Sequence, residues 1–341
     1  MNGKARRRPK ALLAYDPARN PDTLGATQRA RLERLVNLER AIPIQDFTTG
    51  EARAALADCE IVITGWGAPH VSAQVLAEAP KLRLIAHLAG SVKDLIDPSA
   101  WERGILVTSA ASANAEPVAE YTLAAILFGN KHAFELRDLY RRERRSLRPV
   151  RDYAAGIGNL GKTIGLIGAS RVGRRVIARL EPFDFAILVA DPYLSPAEAG
   201  ALGVRLVELD ELLRESDVVS LHAPATAQTR RLLDRRRLGL MRPGALLINT
   251  ARGSLVDHDA LIDATRDGRL RAILDVTDPE PLPADSPLYD MPGVFLTPHI
   301  AGAQGGEVHR LTDSILDEIE RYAAGEPLVF ALAADELEYS A

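Results

Sequence analysis

The feature of this sequence that most constrains its fold is the alternation of short apolar runs with longer helical patterns. In the first third of the chain, the runs predict strands at residues 11–15, 61–63, 83–86 and 105–107. Amphipathic segments such as 26–40 and 50–57 lie between them. This alternation is typical of βαβ units, in which helices cover both faces of a parallel sheet. We therefore predict an α/β protein.

The middle of the chain contains a break in this pattern. Residues 117–145 predict one long helix, with Pro117 in its first turn, where proline is tolerated. The helix would end in a cluster of four arginines, Arg141, Arg142, Arg144 and Arg145. A glycine-rich stretch, 156–158, follows and predicts a hinge or domain edge. The alternation then resumes, with strands predicted at 163–167, 186–190, 205–207, 217–221, 245–249, 271–275 and 294–296.

Composition narrows the class of protein. The 341 residues predict two domains, with 47% hydrophobic and 26% charged residues and a net charge of −4. These values exclude disordered and disulfide-rich classes, since Cys59 is the one cysteine, and they disfavour a dedicated nucleic-acid binder. No apolar run is long enough for a membrane span, so we expect a soluble cytoplasmic protein that binds neither nucleic acid nor membrane.

The sharpest local motif is a strand that leads through a tight turn into a helix, Thr163 to Leu180. In a dinucleotide-binding turn of the G-x-G-x-x-G type, Gly168 and Gly173 would hold the first and third positions, Arg171 and Val172 between them would also contact the cofactor, and the helical pattern begins at Arg174. Ser170 stands where the second glycine is expected. Its side chain would crowd the pyrophosphate, although its hydroxyl could hydrogen-bond there. The alternative is an ordinary strand–helix turn.

Asp191 ends the next predicted strand, 18 residues after Gly173. An acid at this place hydrogen-bonds the ribose hydroxyls of NAD and repels the extra phosphate of NADP. We therefore predict NAD as the cofactor. The alternative is that Asp191 only begins the turn at Pro192, a common use of Asp-Pro.

Three later strands are each followed by a polar loop: 249–253, 275–281 and 297–302. In open α/β sheets, ligands bind outside the carboxyl ends of the strands, so these loops are predicted to converge on one crevice.

Six motifs in this order resemble the D-isomer-specific 2-hydroxyacid dehydrogenase family, over about residues 82–311. They are Asn114–Leu123, Gly168–Gly173, Ser216–Pro224, Asn249–Gly253, Asp275–Pro281 and Thr297–Gly302. The resemblance implies a Rossmann-type nucleotide domain, 118–307, inserted in a flavodoxin-like substrate domain formed by 1–117 plus 308–341. Both would be doubly wound parallel-sheet domains, and a homodimer is expected.

The family's catalytic arginine, glutamate and histidine fall on Arg252, Glu280 and His299. Imidazole ordinarily titrates near neutral pH, which suits His299 as the acid/base that exchanges the hydroxyl proton. Glu280 would orient it and stabilise the imidazolium. Arg252 would grip the substrate carboxylate and polarise the carbonyl. Taken singly, each of the three could be an ordinary loop residue.

The resemblance also implies further contacts. Asp275 would receive the nicotinamide carboxamide, with a strand-end cap as the alternative. The other positions assigned to the cofactor are His222, Ala223, Pro224, Thr250, Ala251, Arg252, His299 and Gly302. The loop of Ala89, Gly90 and Ser91 would hold the substrate carboxylate through its amides. In this loop the sequence departs from the usual Gly-Val-Gly-Val-Asp.

The predicted function is thus hydride transfer between NAD(H) and a 2-oxo acid/D-2-hydroxy acid pair, with no metal. Two alternatives are a formate- or phosphite-type dehydrogenase and an NAD(H)-sensing protein that keeps the fold without turnover. The sequence does not specify which 2-hydroxy acid is the substrate.

Overall fold

The computed structural model describes residues 8–144 and 156–337. By backbone contacts the chain divides into two compact units, the first formed by 1–114 with 303–341 and the second by 115–302. The sequence prediction put these divisions three and five residues later, at 117/118 and 307/308. No helix among the described residues is both long and apolar enough to cross a bilayer.

The described residues form twelve strands. They are β1 (Lys10–Ala14), β2 (Asn37–Leu38), β3 (Ile61–Thr64), β4 (Leu84–His87), β5 (Leu106–Ser109), β6 (Lys162–Ile167), β7 (Phe185–Ala190), β8 (Arg205–Leu206), β9 (Val218–Leu221), β10 (Leu246–Asn249), β11 (Arg271–Leu274) and β12 (Val294–Leu296). Every pairing between them is parallel.

Thirteen α-helices lie in the same residues. They are α1 (Asn20–Thr23), α2 (Ala26–Leu35), α3 (Gly50–Asp58), α4 (Ala73–Glu78), α5 (Ser99–Glu102), α6 (Ala111–Asn130), α7 (Ala133–Glu143), α8 (Arg171–Leu180), α9 (Pro196–Ala201), α10 (Leu209–Glu215), α11 (Arg235–Leu240), α12 (His258–Arg266) and α13 (Val308–Ala324). Short 3-10 turns occur at Pro17–Arg19, Gly253–Leu255, Pro287–Tyr289, Gly305–Glu307 and Ala334–Glu336.

The first unit contains one five-stranded sheet in the order β2-β1-β3-β4-β5. This is the flavodoxin-like order of doubly wound folds. Alternate residues of β1 enter different hydrophobic clusters: Leu12 and Ala14 belong to one, and Ala11 and Leu13 to the other. Because successive side chains of a strand point to opposite faces, both faces of this sheet are buried.

The second unit contains a seven-stranded sheet in the order β12-β11-β10-β9-β6-β7-β8. Counted from β6, this is the 3-2-1-4-5-6 order of the Rossmann fold with one further strand at the β11 edge. The order reverses between β6 and β9, which are neighbours in the sheet. Ligands of such sheets bind outside the carboxyl ends of the strands at this reversal. The predicted pair of doubly wound parallel sheets is confirmed.

The prediction of one long helix over 117–145 is wrong. Helix α6 begins at Ala111, so Pro117 lies inside it rather than in its first turn. The helix ends at Asn130, and His132 takes a left-handed backbone conformation with φ of 49° before α7 begins. This conformation breaks the helical path because L-residues do not continue a right-handed helix through it. Arg145 lies outside the described residues.

Other element bounds differ by small amounts. The helix predicted over 26–40 ends at Leu35, because the chain then enters the short strand β2, which the sequence pattern did not indicate. The first turns of several helices are fixed by side-chain caps. Thr49 accepts the amide of Ala52 at the start of α3, and Ser72 accepts that of Val75 at the start of α4.

Candidate active site

The turn between β6 and α8 depends on two close backbone approaches. Gly168 has φ of +99°, and a Cβ there would lie 2.8 Å from the amide nitrogen of Ala223. A Cβ on Gly173 would lie 2.2 Å from the carbonyl oxygen of Gly168. Neither position has room for a side chain, because the obstructing atoms are backbone. Two glycines of the motif are therefore required sterically, as a dinucleotide turn requires.

Ser170 is the N-cap of α8. Its backbone is extended, with φ of −65°, so the turn does not need glycine there. Its hydroxyl oxygen accepts the amide of Gly173 at 3.3 Å. The hydroxyl hydrogen stays free to donate to an anion. Arg171 and Val172 are the first two residues of α8, where helix amides lack partners within the helix and favour an anion.

Asp191 follows β7 and is tied to the same turn. One carboxylate oxygen accepts the amide of Ala169 at 2.6 Å, and the other accepts that of Tyr193 at 2.8 Å. The turn at Asp191-Pro192 that was considered as the alternative is thus also present. Each carboxylate oxygen can accept two hydrogen bonds, so acceptor capacity for ribose hydroxyls is left.

The segment His222–Pro224 leaves β9 directly beside Gly168. His222 is buried, and its Nε2 lies 3.0 Å from the hydroxyl of Ser220. Burial lowers the pKa of His222 to about 4, so the imidazole is neutral near pH 7. Its Nδ1 is buried without a hydrogen-bond partner in the described residues. The carbonyl of Pro224 accepts the hydroxyl of Thr229 at 2.6 Å.

The loop after β10 presents Arg252. Asn249 shapes the loop by accepting the amide of Ala251 at 3.1 Å and donating to the carbonyl of Arg252 at 2.9 Å. The hydroxyl of Thr250 lies 3.2 Å from that of Thr122. Burial lowers the pKa of Arg252, and the nearby Glu280 carboxylate acts in the opposite direction. Its guanidinium donates to the carbonyl of Ala251 at 2.7 Å.

The Arg252 loop packs against the start of the Glu280 loop. A Cβ on Gly253 would lie 2.0 Å from the carbonyl carbon of Thr277. This approach places the two loops in contact at the backbone level. Arg252 and Glu280 are therefore neighbours electrostatically, although no hydrogen bond joins their side chains among the described contacts.

Glu280 and His299 form a close side-chain contact in the candidate site. Nδ1 of His299 lies 2.6 Å from Oε1 of Glu280, although the two residues are 19 positions apart. The two side chains are 51% and 42% exposed, respectively. Because Nδ1 faces the carboxylate, the imidazole presents Nε2 outward. Both residues line an open surface cavity of the second unit.

Asp275 is buried at the end of β11 and accepts three hydrogen bonds. Its Oδ1 accepts the Thr297 hydroxyl at 2.6 Å and the Ile300 amide at 2.8 Å, while Oδ2 accepts the Ala301 amide at 2.8 Å. These bonds also fit the alternative in which Asp275 caps the end of the strand. One acceptor position remains on Oδ2 for a carboxamide. Gly302, the last residue of the second unit, is half-buried.

The candidate substrate loop lies in the first unit, after β4. The carbonyl of Ala89 accepts the amide of Ala110 at 3.0 Å. A Cβ on Gly90 would meet the side-chain nitrogen of Asn114 at 3.6 Å, an ordinary contact, so glycine is not required there sterically. The Ser91 hydroxyl accepts the amide of Lys93 at 3.2 Å and stabilises a turn.

Two side chains near His299 were not singled out from the sequence. The hydroxyl of Tyr121, on α6, lies 2.7 Å from that of Thr297. Both residues fall inside motifs that carry the family resemblance, but spacing alone gave no sign that they touch. The one feature of the sequence that could have indicated Thr297 is its position directly after a predicted strand.

The residues of the second unit fit a dinucleotide. The turn brings backbone against backbone at Gly168 and Gly173, the first amides of α8 lack partners within the helix, and His222 carries a buried nitrogen without a hydrogen-bond partner among the described residues. All three features lie where β6 and β9 meet, at the reversal of strand order. These features define a doubly wound nucleotide-binding domain with a polar loop cluster at its carboxyl edge.

The family assignment follows from sequence comparison. Residues 123–301 match the family model described as "D-isomer specific 2-hydroxyacid dehydrogenase, NAD binding domain". The chain belongs to this family.

Comparisons with curated proteins and with solved structures are consistent with this family assignment. A D-3-phosphoglycerate dehydrogenase of Mycobacterium leprae is 36% identical over 78% of this chain and 49% of its own length. A glyoxylate reductase of Korarchaeum cryptofilum is 33% identical over 79% of this chain and 81% of its own. The apo structure of Rhodotorula graminis D-mandelate dehydrogenase is similar with a TM-score of 0.80 at 27% identity, covering 96% and 98% of the two chains. The chain spans about half the length of the phosphoglycerate dehydrogenase.

Proposed function

We propose that this chain is an NAD-dependent oxidoreductase that interconverts a 2-oxo acid and the D-2-hydroxy acid. The observation that carries the proposal is the 2.6 Å contact between Nδ1 of His299 and Glu280, beside the Arg252 loop. A histidine oriented by a carboxylate is the usual arrangement of an acid/base pair. The family membership and the printed activities of the relatives support the same reaction class.

Each residue of the trio has a distinct role in this proposal. Glu280 accepts the Nδ1 hydrogen of His299, fixes the tautomer and stabilises the imidazolium. His299 then gives or takes the substrate's oxygen proton at Nε2. Arg252 binds the substrate carboxylate through its planar fork and polarises the carbonyl. When bound, a nicotinamide cofactor supplies or accepts the hydride.

The cofactor is proposed to be NAD, bound at the Gly168–Gly173 turn. The carboxylate of Asp191, oriented by the amide of Ala169, supports a preference for NAD because it would repel a 2′-phosphate. The second unit would then be the nucleotide domain. The first unit would carry the substrate loop at Ala89–Ser91, and its departures from the usual family loop leave the substrate's size and polarity open.

We also infer a cytoplasmic homodimer. The single cysteine, Cys59, is buried and free, as suits a reducing compartment. Phe128 and Tyr140 expose large apolar surfaces on α6 and α7, which favours a protein contact on the second unit.

The test is a panel of 2-oxo acids assayed with NADH and NADPH, run on the wild type and two variants. His299→Ala is expected to lower kcat/KM by roughly 10²- to 10⁴-fold, because it removes the acid/base. Arg252→Ala is expected to raise KM for the 2-oxo acid and to lower kcat, because the guanidinium would both bind the carboxylate and polarise the carbonyl. Matched controls are His70→Ala and Arg266→Ala, which alter an exposed histidine and an exposed arginine elsewhere.

Full activity in either site variant would contradict the assigned roles. Tight NADH binding without turnover of any 2-oxo acid would favour the sensing alternative. Oxidation of formate or phosphite, which needs no proton-abstracting base, would favour the other dehydrogenase class.

A further inference from the structure

The backbone of His299 is held in an unfavourable conformation. Its φ is +56°, in the left-handed region that L side chains rarely adopt. A residue in such a region is strained and persists only where its surroundings enforce it. The His299 amide donates to the carbonyl of Asp275 at 2.9 Å and to that of Thr297 at 3.0 Å. The enforcing contacts therefore come from the end of β11 and from the loop itself.

The Asp275 side chain holds the loop on both sides of His299. It accepts the hydroxyl of Thr297, two residues before the histidine, and the amides of Ile300 and Ala301, which follow it. The carboxylate is 2% exposed, so these bonds are shielded from water. Hydrogen bonds to a charged acceptor are about twice as strong as neutral ones, which makes this the main polar anchor of the loop.

The directions of these hydrogen bonds indicate that helix α6 also helps to hold the loop. A carboxylate can only accept, so the single hydroxyl hydrogen of Thr297 points to Asp275. The other contact of Thr297, with Tyr121 at 2.7 Å, must then be donated by the tyrosine. The chain of donors runs from Tyr121 to Thr297 to Asp275. The pKa of Tyr121 is raised, mainly because its side chain is buried. The tyrosine hydroxyl therefore keeps its hydrogen and can donate it to Thr297.

We propose that Tyr121 and Thr297 are positioning residues that act through Asp275 to set the backbone and ring direction of His299. This inference rests on the proposed function, since it assigns the orientation of the proposed acid/base. Tyr121 donates from α6, a helix that also packs against the sheet through Ala125 and Ile126, and so ties the loop to a rigid element. Without the Thr297 hydroxyl, the loop loses the one of its three bonds to the Asp275 side chain that precedes His299, and the ring is held less firmly toward Glu280.

The test compares Thr297→Val, which keeps the shape but removes the hydroxyl, with Thr297→Ser, which keeps the hydroxyl. Thr297→Val is expected to lower kcat for the best 2-oxo acid on the order of 10- to 100-fold, the effect of a small misplacement of a catalytic group. KM and the Kd for NADH are expected to change little. Thr297→Ser should restore most of kcat. Tyr121→Phe should lower kcat less than Thr297→Val does, and Tyr322→Phe, which removes a hydroxyl bonded to Glu60 in the first unit, should leave it unchanged.

A second measurement separates this inference from the proposed function. Crystal structures of the two Thr297 variants should show the Nδ1–Oε1 contact of His299 and Glu280 kept in Thr297→Ser and opened in Thr297→Val. That outcome would support the positioning role even if no 2-oxo acid were turned over. An unchanged contact and an unchanged kcat in Thr297→Val would overturn it, as would equal losses of kcat in both variants.

Discussion

The turn after β6 and the loop after β12 lie at the carboxyl edge of one sheet, yet they are held by different forces. The turn keeps its shape because Gly168 and Gly173 carry no side chain and let backbone approach backbone. The loop keeps its shape because a buried carboxylate, Asp275, gathers three donors around His299.

The difference shows how one edge can serve two tasks. A phosphate group is bound by backbone amides at a helix N-terminus, and glycine residues allow the backbone to approach it closely. A catalytic group needs a fixed direction, which directional hydrogen bonds provide. We expect the two regions to respond differently to substitution, with the glycine turn intolerant of any added atom and the loop sensitive to the loss of a single donor.

The largest expected effect comes from adding a methyl group to the turn. Gly173→Ala would place Cβ 2.2 Å from the Gly168 carbonyl oxygen, and backbone cannot move away cheaply. We expect a loss of stability on the order of 3 kcal/mol, seen as a lower Tm, together with weaker NADH binding by fluorescence titration. Gly200→Ala is the control, because nothing lies within 4 Å of its Cβ, and it should gain up to about 1 kcal/mol. Equal Tm values for the two variants would contradict the steric account.

A second effect comes from acidification, which acts on the histidine beneath the turn. The pKa of buried His222 is lowered from 6.5 to about 4, so between these values the unfolded chain binds a proton that the folded chain does not. Stability must therefore fall as pH falls from 6.5 toward 4, by up to about 1.4 kcal/mol per pH unit for this group. Urea unfolding over this range measures the slope.

His222→Gln is the informative variant for this pH dependence. The amide of glutamine can replace Nε2 as the partner of Ser220 but does not titrate. The slope should therefore decrease, and the contribution of His87, whose pKa is also lowered to about 4 in the first unit, should remain. An unchanged slope in His222→Gln would show that the proton uptake belongs to other groups.

The smallest expected effect concerns Ser170, where the turn departs from the glycine pattern. Ser170→Ala removes the cap on Gly173 and should cost about 1 kcal/mol, whereas Ser170→Gly should cost only a few tenths. If the turn binds the cofactor as proposed, Ser170→Gly should weaken NADH binding less than Ser170→Ala does, because the room gained by removing Cβ offsets the lost hydroxyl. Thermal unfolding and NADH titration measure both, and a lower Tm for Ser170→Gly than for Ser170→Ala would count against the capping role.

The sequence predicted the two parallel sheets because alternating strand and helix patterns leave few other folds. Gly168 and Gly173 could be recognised for the same kind of reason, since a tight turn tolerates few residues. The helix break at His132 was missed although Gly129 and Asn130, residue types common at helix ends, precede it, because the left-handed residue itself is neither glycine nor asparagine. The short strand β2 was missed because two residues, Asn37 and Leu38, show no periodicity.

The candidate site likewise contains residues that the sequence indicated and contacts that it did not. Arg252, Glu280 and His299 could be proposed from the order of family motifs, and the roles of these residues stay proposals. The contacts of Tyr121 with Thr297 and of Thr297 with Asp275 join positions 176 and 22 residues apart. Such pairs are fixed by how α6 and β11 pack in the second unit, which no local pattern in the sequence encodes.

In the proposed reaction, the half-exposed imidazole of His299 would exchange its proton directly with bulk water between turnovers. No buried relay of hydrogen bonds would then be needed to supply that proton. The hydrogen bonds from Tyr121 to Thr297 and from Thr297 to Asp275 would serve only to orient the ring.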